Sequence, residues 1–582
     1  MKYKLYESNY KGNDPVERVL TNRGISDYNT YLNLTEKNVQ GYKCLDNIQE
    51  AADLLISHVS NNDTISIIVD EDVDGFCSAA MMFMYINRVY PNCPVRYVLH
   101  GKAKSHGISN DIDIPRDTKL LIVPDAGTND IEAQQRLSDN MDIIILDHHE
   151  PEGKTTTSDN VIIVNNQCSP GYKNKDLCGA GIVYRFLQCL DDKLWEEHAD
   201  DFLDLCALAN ISDIMDMRSF ETRYIVNEGL KNIRSKCFNA FINAQSYSMN
   251  SEVNIHNVQW YITPIMNGMI RIGDITEKEL LFRAFIETDE EFDYKKRGAT
   301  EPIKESIYDR AARLCKNAKS RQDKLRDKGT EFCDTYINDE DNKVIIIDGT
   351  MGIDRRLSGV IAIRVAEKYH KPCIIISKRQ DKEDTYGGSA RNFDHSPIES
   401  FKDIVSNNKF FNFARGHGNA FGVEIKANNI MEAQKVFNEM LRDVEYDNTY
   451  YCDFILQNKA DIRLIYQLCG MKNLVGQGID EPIIAVEHIT LNGTDFQVIG
   501  KNNDTITFEI DGIKYIKFRC DYDDDINLFL SDAGNNPNAE VEFTIVGKPS
   551  ENIYNGNKTL QIVISDWEIT GTNILGDEDD EW

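Results

Sequence analysis

Five short apolar runs, separated by segments of helical character, constrain the fold of this chain more than any other feature. Each run has roughly four to six apolar residues between polar flanks, which fits strands that are buried on both faces of a parallel sheet. The runs are Thr64–Asp70, Val95–Leu99, Lys119–Asp125, Asp142–Asp147 and Val161–Asn165. The pattern predicts a doubly wound α/β domain, in which ligands bind outside the carboxyl ends of the strands.

Three of the runs end in aspartate, and a further aspartate lies in an apolar helical stretch. The acidic residues and adjoining histidines are Asp70, Asp72, Asp74, Asp125, Asp147, His148, His149 and Asp213. Parallel strands that end in carboxylates concentrate negative charge at one sheet edge, which is costly unless cations are bound there. Oxygen ligands with one or two imidazoles suit Mn²⁺ or Mg²⁺, and two such ions could clamp a phosphoryl group and activate water.

Simpler explanations exist for each acidic cluster taken alone. An aspartate at a strand end is more often a helix cap or a turn residue than a metal ligand. The segment DEDVDG at 70–75 could be a calcium loop, but it follows a strand and lacks the downstream glutamate of an EF-hand. Four clusters together favour the metal interpretation.

The pattern of apolar residues changes several times along the remainder of the chain. A second set of apolar runs begins near Lys343, and short alternating runs after about residue 480 are typical of a small all-β barrel. The predicted divisions are an N-terminal helical entry segment (1–45), an α/β domain (46–275), a connecting helix (276–340), a second α/β domain (341–430), a helical linker (431–482), an all-β domain (483–572) and an acidic tail (573–582).

The charge of the chain restricts its partners. Lys and Arg number 64 against 95 Asp and Glu, which gives a formal net charge of −31. A protein that coats DNA is excluded, so any polyanion must be met in a confined cleft or through metal ions. No apolar leader, membrane-spanning run or metal-finger cysteine spacing is present, and the 14 scattered cysteines fit a reduced compartment. We therefore expect a cytoplasmic protein, in a bacterial cell or a phage-infected host.

The ordered motifs resemble those of the DHH/DHHA1 phosphoesterase superfamily, and specifically its RecJ-like branch. DEDVDG at 70–75, Asp125, DHH at 147–149 and Asp213 are similar to the catalytic motifs. ITPIMNGMIRIGD resembles the family's Asn-x₃-Arg segment, and YGGSARNF and ARGHGNAFGVEI resemble the paired DHHA1 motifs. Near the C-terminus, NIYNGNKTLQIVISDWEI is similar to the last strands of the family's OB domain. The resemblance therefore implies that 46–275 is the catalytic DHH domain, 341–430 the DHHA1 domain and 483–572 an OB-fold domain. The resemblance covers nearly the whole chain.

The resemblance implies a role for each matching residue. It implies that two ions, Mn²⁺ or Mg²⁺, are held by Asp72, Asp74, Asp125, His148 and Asp213, with Asp125 as the bridge, while Asp70 either ligates or orients. Asp147 is expected to orient His148, and His149 to contact the scissile phosphate or assist proton transfer. The residues implied in nucleic-acid or phosphate binding are Asn267, Arg271, Gly388, Ser389, Arg391 and His417. We expect Gly387–Arg391 to form a loop that presents backbone N–H groups beside a forked guanidinium.

The chain departs from the family in two places. HGKAKSHGIS at 100–109 stands where the family has an Asn-Arg…Gly-Tyr-Gly pattern, which leaves open what Lys102, Lys104 and His106 contribute. In the second DHHA1 motif, Asn419 and Phe421 replace small residues.

The implied function is a 5′→3′ exonuclease that hydrolyses single-stranded DNA to mononucleotides in repair, recombination or replication. The alternatives are a DHH phosphodiesterase for small substrates, such as oligoribonucleotides, cyclic dinucleotides or bisphosphorylated nucleosides, and a catalytically silent replication scaffold. The expected partners are single-stranded DNA and a single-strand-binding protein or helicase, without a membrane, and the expected state is a monomer. The acidic tail is either a solubilising terminus or a segment that recruits partners or competes with DNA.

Overall fold

A computed structural model describes most of the chain. The described residues are 1–101, 106–109, 112–153, 158–298, 300–337, 342–380, 382–394, 396–446, 449–500, 504–518, 539–554 and 557–573. Lys102, Lys104 and residues 574–582 of the predicted tail lie outside this set. Among the described residues, no helix is both long and apolar enough to cross a membrane. Every cysteine in these ranges is a free thiol, and most are buried.

The N-terminal segment begins with a strand rather than a helix. Its elements are β1 (Lys2–Leu5), α1 (Pro15–Asn22) and α2 (Tyr28–Leu32). Strand β1 pairs in parallel with a strand at Thr449–Cys452, far along the chain. Next to this pairing, the buried Arg23 donates to both carboxylate oxygens of Asp453, over 2.9 and 3.0 Å. The segment is thereby fastened to the C-terminal part of the molecule.

The predicted doubly wound domain is present. Its elements are α3 (Ile48–Ser60), β2 (Ile65–Val69), α4 (Val73–Val89), β3 (Val95–Leu99), β4 (Leu120–Pro124), α5 (Ile131–Ser138), β5 (Asp142–Asp147), β6 (Val161–Asn165), α6 (Gly179–Leu194), α7 (Leu203–Ser212), α8 (Phe220–Lys231), α9 (Lys236–Gln245), α10 (Ile255–Asn257) and α11 (Thr263–Ile272). All five predicted strands form, and they pair in parallel in the order β3-β2-β4-β5-β6. Every residue of β2 and β4 is buried, as uninterrupted apolar runs require.

The connector 276–340 is not the single helix that we predicted. It contains α12 (Ile275–Phe285), β7 (Glu291–Tyr294), β8 (Ile303–Ser306) and α13 (Ile307–Asp334). Strands β7 and β8 form an antiparallel hairpin that packs against the start of α13, where the Arg313 guanidinium lies 4.1 Å from the Tyr294 ring centroid. The hairpin was missed because its strands are short and mostly exposed, so they lack an apolar run.

The second α/β domain has a mixed sheet. Its elements are β9 (Ile345–Asp348), α14 (Ser358–Tyr369), β10 (Cys373–Lys378), β11 (Thr385–Arg391), α15 (Phe401–Ser406), β12 (Phe411–His417), β13 (Ala420–Lys426) and α16 (Ile430–Met440). The strand order is β12-β13-β11-β10-β9, and only the β9–β10 pair is parallel. Helix α16, predicted as part of a linker, contributes Ala433 and Phe437 to the core of this domain.

Where the structure describes it, the C-terminal part consists mainly of β-strands and contains one α-helix. Its elements are β14 (Thr449–Cys452), β15 (Phe454–Gln457), α17 (Ile462–Cys469), β16 (Ile484–Asn492), β17 (Gln497–Ile499), β18 (Thr505–Ile510), β19 (Ile513–Phe518), β20 (Glu540–Tyr554) and β21 (Asn557–Asn573). The predicted helical linker 431–482 therefore also contains two strands, and β15 is the edge strand of a seven-stranded sheet. In the core of this domain, the buried Phe508 ring packs against the rings of Tyr515 and Phe543.

One continuous apolar core joins the N-terminal segment, the doubly wound domain and the all-β domain, as Val19, Ile67 and Phe543 illustrate. The second α/β domain has separate cores, which contain Phe421 and Ile361. The domain is therefore a distinct body, which contacts the doubly wound domain through the ion pairs Lys402–Glu150 and Arg415–Glu152. We call the space between the two domains the cleft.

Candidate active site

The predicted carboxylates meet at the carboxyl edge of the parallel sheet. Asp70 follows β2, Asp125 follows β4, and Asp147 is the last residue of β5. These three strands are adjacent, in the order β2-β4-β5. All three aspartates are almost fully buried, with at most 2% of their surface exposed. The placement predicted from the strand pattern is confirmed.

The turn from β2 into α4 supplies two further carboxylates. Asp72 caps α4 and accepts the N–H of Gly75 over 2.9 Å. Asp74, in the first turn of the helix, accepts the N–H groups of Gly179 and Ala180, both over 2.7 Å. These two N–H groups belong to the first turn of α6, where the helix dipole favours an anion. The N-termini of two helices thus fix both carboxylates.

Two glycines allow this close approach. A Cβ on Gly75 would lie 2.6 Å from the Cβ of Asp70, and one on Gly179 would lie 2.5 Å from Oδ1 of Asp125 and 2.7 Å from its Cα. Either position would therefore displace an acidic residue if it carried a side chain. Asp125 itself has a left-handed backbone, with φ of 64°, which turns its carboxylate into the site.

His148 lies among three carboxylates. Its Nε2 is 3.3 Å from Oδ1 of Asp125, 3.5 Å from Oδ2 of Asp213 and 4.0 Å from Oδ2 of Asp74. Asp213 is presented by the C-terminal end of α7. Within the described residues, Oδ1 of Asp125 and Oδ2 of Asp213 are buried without a hydrogen-bond partner. Burial lowers the pKa of His148 to about 3, so the imidazole is neutral and free to act as a ligand.

The donor atoms form three groups in which all members lie within 4.8 Å of one another. The groups are Asp125, His148 and His149; Asp74, His148 and Asp213; and Asp70, Asp72 and Asp125. Burial, reinforced by neighbouring carboxylates, raises the pKa of Asp74 to about 6 and that of Asp125 well above its usual range. A bound cation would give the buried carboxylate oxygens a partner and would offset the repulsion between the carboxylates. The residues therefore fit divalent metal ions. Asp125 and His148 each belong to two of these groups, so both lie at the centre of the cluster.

Asp147 orients a different histidine ring from the one that we expected. Its carboxylate accepts the backbone N–H groups of Thr128, His148 and His149, and it accepts Nδ1–H of the His149 ring over 2.8 Å. The prediction that Asp147 orients the His148 side chain is therefore wrong. Although burial opposes the charged ring, the Asp147 carboxylate raises the pKa of His149 to about 10. The ring of His149 is half exposed and faces the cleft.

Two histidines from the divergent segment 100–109 surround Asp70. Its carboxylate accepts Nδ1–H of His106 over 2.9 Å and the N–H of Gly107 over 2.8 Å. The buried His100 ring places Nε2 3.8 Å from Oδ1 of Asp70, and both ring nitrogens lack a hydrogen-bond partner within the described residues. In the sequence, the only indication that His100 and His106 belong to the site is that they follow the end of β3.

A buried ion pair supports the same turn. The side chain of Glu71, between Asp70 and Asp72, forms a buried ion pair with Lys278 on α12. No local pattern could have revealed this contact, because its partners are 207 residues apart in the sequence.

The two arginines predicted to bind phosphate come from the two different α/β domains. Arg271 lies on α11, and Arg391 is the last residue of β11. Burial, together with the charge of Arg271, lowers the pKa of Arg391 to about 10. Desolvation within the cleft also lowers the pKa of Arg271, although Asp72 acts in the opposite direction. Neither guanidinium forms an ion pair within the described residues, so the two like charges are available to an anion.

The neighbouring polar groups differ in their availability. Nδ2 of Asn267 lies 3.3 Å from Oγ of Ser212, while its Oδ1 is buried without a partner among the described residues. Oγ of the buried Ser389 lies 3.0 Å from Oγ of Ser358. His417, at the end of β12, has its ring centroid 6.5 Å from that of His149. The two domains therefore bring His149 and His417 together.

The expected loop at Gly387–Arg391 is instead a strand. Strand β11 pairs on one side with β10 and on the other with β13, so its backbone groups are engaged in the sheet. A Cβ on Gly388 would lie 1.9 Å from the carbonyl oxygen of Ile375, so the glycine serves close strand packing. Only side chains from this motif are left to contact a ligand.

Helix α13 carries many lysines and arginines, and several of them form ion pairs. Arg313 pairs with Glu305, Arg321 with Glu277, and Arg326 with Asp323. Such pairs are typical of a solvated helix face.

Comparisons with known proteins agree with this architecture. The DHH family, N-terminal domain, matches residues 64–210, and the RecJ OB domain matches residues 455–566. A relative named as the SPbeta prophage-derived single-strand DNA-specific exonuclease YorK of Bacillus subtilis (strain 168) is 36% identical over 580 residues, 98% of this chain and 99% of the relative. The single-stranded-DNA-specific exonuclease RecJ of the same organism is 23% identical over 548 residues, 89% of this chain and 63% of the relative. The crystal structure of RecJ from Thermus thermophilus in complex with Mn²⁺ has a TM-score of 0.70 at 17% identity, covering 95% of this chain and 76% of that one.

Proposed function

This chain belongs to the RecJ-like DHH family, and we propose that it is a divalent-metal-dependent exonuclease that hydrolyses single-stranded DNA from its 5′ end to mononucleotides. The observation that carries the proposal is the proximity of two groups of opposite charge. Buried carboxylates with orphaned oxygens at Asp125 and Asp213 lie at the sheet edge, and the guanidinium groups of Arg271 and Arg391 form no ion pair within the described residues. A phosphodiester fits between a cation site and a guanidinium pair.

Asp70, Asp72, Asp74, Asp125, His148 and Asp213 would hold the ions, as Mn²⁺ or Mg²⁺. The RecJ structures that contain Mn²⁺ and Mg²⁺ support this choice, as does the oxygen-rich donor set. When bound, such ions lower the pKa of a coordinated water and offset charge on the phosphoryl group.

The remaining residues position the substrate. Asp147 holds Nδ1–H of His149, which leaves Nε2 of this ring directed to the substrate as a donor to a phosphate oxygen. A phosphate in the 5′ region of the strand is bound by the guanidinium groups of Arg271 and Arg391. The neighbouring polar side chains that contact it are those of Ser389, Asn267 and His417. Gly388 acts only indirectly, because it lets β11 approach β10.

The wider setting of the enzyme is also part of the proposal. We expect a monomer that acts in the cytoplasm in DNA repair, recombination or replication, and that cooperates with a single-strand-binding protein or a helicase.

The test uses long single-stranded DNA labelled at either end, with Mn²⁺, Mg²⁺ or EDTA. The expected result is release of mononucleotides from the 5′ end, which EDTA and the substitution Asp72→Asn abolish. Asparagine still caps α4, because it is as good an N-cap as aspartate. Asp274→Asn is the matched control, since Asp274 caps α12 by accepting the N–H groups of Thr276 and Glu277.

Three outcomes would contradict the proposal. Activity that persists in Asp72→Asn or in EDTA would exclude the metal site. Cleavage of dinucleotides alone would indicate a phosphodiesterase for small substrates, and absence of turnover on any substrate would indicate a scaffold.

A further inference from the structure

An exposed tryptophan with a half-buried histidine beside it lies on the same helical element as Asn267 and Arg271. Helix α10, a π-helical turn at Val258–Ile262 and helix α11 follow one another without a break. Trp260, in the π-helical turn, is 63% exposed. The centroid of its indole lies 6.2 Å from that of the His256 ring. Single-turn π-helical segments occur frequently at functional sites.

Trp260 shares a face with the residues of the cleft. Asn267 and Arg271 are four residues apart, so they lie on one side of α11. The exposure of Trp260, in the turn before α11, places it on the same solvent-facing side. Trp260 and Arg271 are exposed and Asn267 is half-buried on this side, whereas Val258, Ile262, Ile265, Met266 and Met269 are buried in the core on the other. At a rise of about 1.5 Å per residue, Trp260 lies about 10 Å beyond Asn267 and about 16 Å beyond Arg271 along the helix.

The exposed side of the helix that carries Trp260, Asn267 and Arg271, which we call the stripe, ends next to the all-β domain. Burial lowers the pKa of His256, and Glu481, Lys472 and Lys548 are the charged groups close enough to act on it. Lys548 lies on β20 and pairs with Glu481 over 2.9 Å. Lys472 follows α17 and forms an ion pair with Glu252. The aromatic pair therefore stands at the junction between the doubly wound domain and the all-β domain.

Exposure alone does not make an aromatic residue functional, because single exposed apolar residues are common on protein surfaces. Trp195, for example, is 93% exposed at the C-terminal end of α6. Trp260 differs because it continues the stripe of Asn267 and Arg271 and has a second ring beside it. A flat aromatic surface in line with a phosphate grip is the arrangement by which proteins bind single strands without reading sequence.

We propose that Trp260, with His256 beside it, stacks on bases of single-stranded DNA and guides the strand between Arg271 and the all-β domain. The inference rests on the proposed function for the identity of its ligand. It adds a binding subsite distant from the reacting phosphate, which acts on long strands and not on short ones. A dinucleotide held at Arg271 is too short to span the roughly 16 Å to Trp260.

The first experiment measures the affinity of the full chain for a 20-nucleotide oligothymidylate by fluorescence anisotropy, in the Asp72→Asn background to prevent cleavage. Stacking on an aromatic side chain is worth about 1–3 kcal/mol per base, so Trp260→Ala should weaken binding about 5- to 150-fold. Trp260→Phe, which keeps a ring, should recover most of the affinity. Trp195→Ala should bind as tightly as the parent. Binding of the dinucleotide should be equal in all four proteins.

The second experiment uses Trp260 as the reporter. The chain has four tryptophans, so replacing Trp195, Trp567 and Trp582 by Phe leaves Trp260 alone. The oligothymidylate should quench its fluorescence, and the dinucleotide should not. Equal affinity of Trp260→Ala and parent for the oligothymidylate, or absence of quenching, would overturn the inference while leaving the exonuclease proposal intact. Absence of any binding of single-stranded DNA by the parent would overturn both.

Discussion

Replacing Arg391 by Met should stabilise the second α/β domain while it weakens phosphate binding. Met keeps an unbranched side chain beside Gly359, where the guanidinium now packs, but it removes one of two like charges. The pKa of Arg391 is lowered to about 10 by burial and by Arg271. Relative to a free arginine this corresponds to at most about 3 kcal/mol, and solvent screening at a partly exposed group reduces it to roughly 1 kcal/mol. This destabilisation of the folded state by the charged Arg391 is fully present at pH 7, because arginine is protonated there in both the folded and the unfolded chain.

The loss of phosphate affinity should be larger than the gain in stability. A hydrogen bond to a charged group contributes about 1.5–3 kcal/mol, so removal of the guanidinium should weaken phosphate binding roughly 10- to 150-fold. Arg391→Lys keeps the charge but not the fork, and it should fall between the parent and the Met variant in affinity without any gain in stability.

Hydrogen exchange at the amides of β11 is the suitable assay, with and without inorganic phosphate. A chain with several cores need not unfold in one step, so a local measurement is needed. Without phosphate, the Met variant should exchange more slowly than the parent, by a factor of roughly 5, which corresponds to about 1 kcal/mol. With phosphate, the parent should gain protection and the Met variant should gain little. Faster exchange in the Met variant, combined with equal protection by phosphate in both proteins, would refute the reasoning that two unpaired guanidinium groups are held there for an anion.

The remaining predictions concern the carboxylates at the sheet edge. Gly179→Ala should abolish Mn²⁺ binding measured by calorimetry, because the added Cβ would lie 2.5 Å from Oδ1 of Asp125. Gly470→Ala is the control, because no atom lies within 4 Å of the position of its added Cβ. Equal affinity for Mn²⁺ in the two variants would contradict the prediction. Lys278→Met should destabilise the doubly wound domain by about 3 kcal/mol in urea unfolding, because it leaves the buried Glu71 carboxylate without its ion pair. Adding Glu71→Gln should recover much of that loss, whereas an additive effect of the two substitutions would show that the pair is not coupled.

The strands and their terminal aspartates could be predicted because both signals are local. Five apolar runs need no distant information to be recognised, and the edge at which parallel strands end follows from their direction. The role of Asp147 could not be derived in this way. His148 and His149 are adjacent, so their spacing does not decide which ring contacts the Asp147 carboxylate. In the folded chain the ring of His149 makes this contact.

Other features were missed because they depend on contacts that are distant in the sequence. Glycines are depleted in strands, so Gly387–Arg391 favoured a loop; the strand forms because Gly388 fits against the carbonyl oxygen of Ile375. The connection of Lys278 to Glu71 and the burial of His100 beside Asp70 require the assembled fold.

The pairing of β1 with β14 has a consequence for how the chain is made. A ribosome that adds about 5–20 residues per second needs roughly 20–90 seconds to pass from Arg23 to Asp453. Throughout that interval Val19, Leu20 and the Arg23 guanidinium have no partner from the C-terminal part of the chain. Contacts of such long sequence separation form last, because the loop that they close must first be ordered. Until the C-terminal part has been made, the nascent entry segment is therefore open to aggregation and proteolysis.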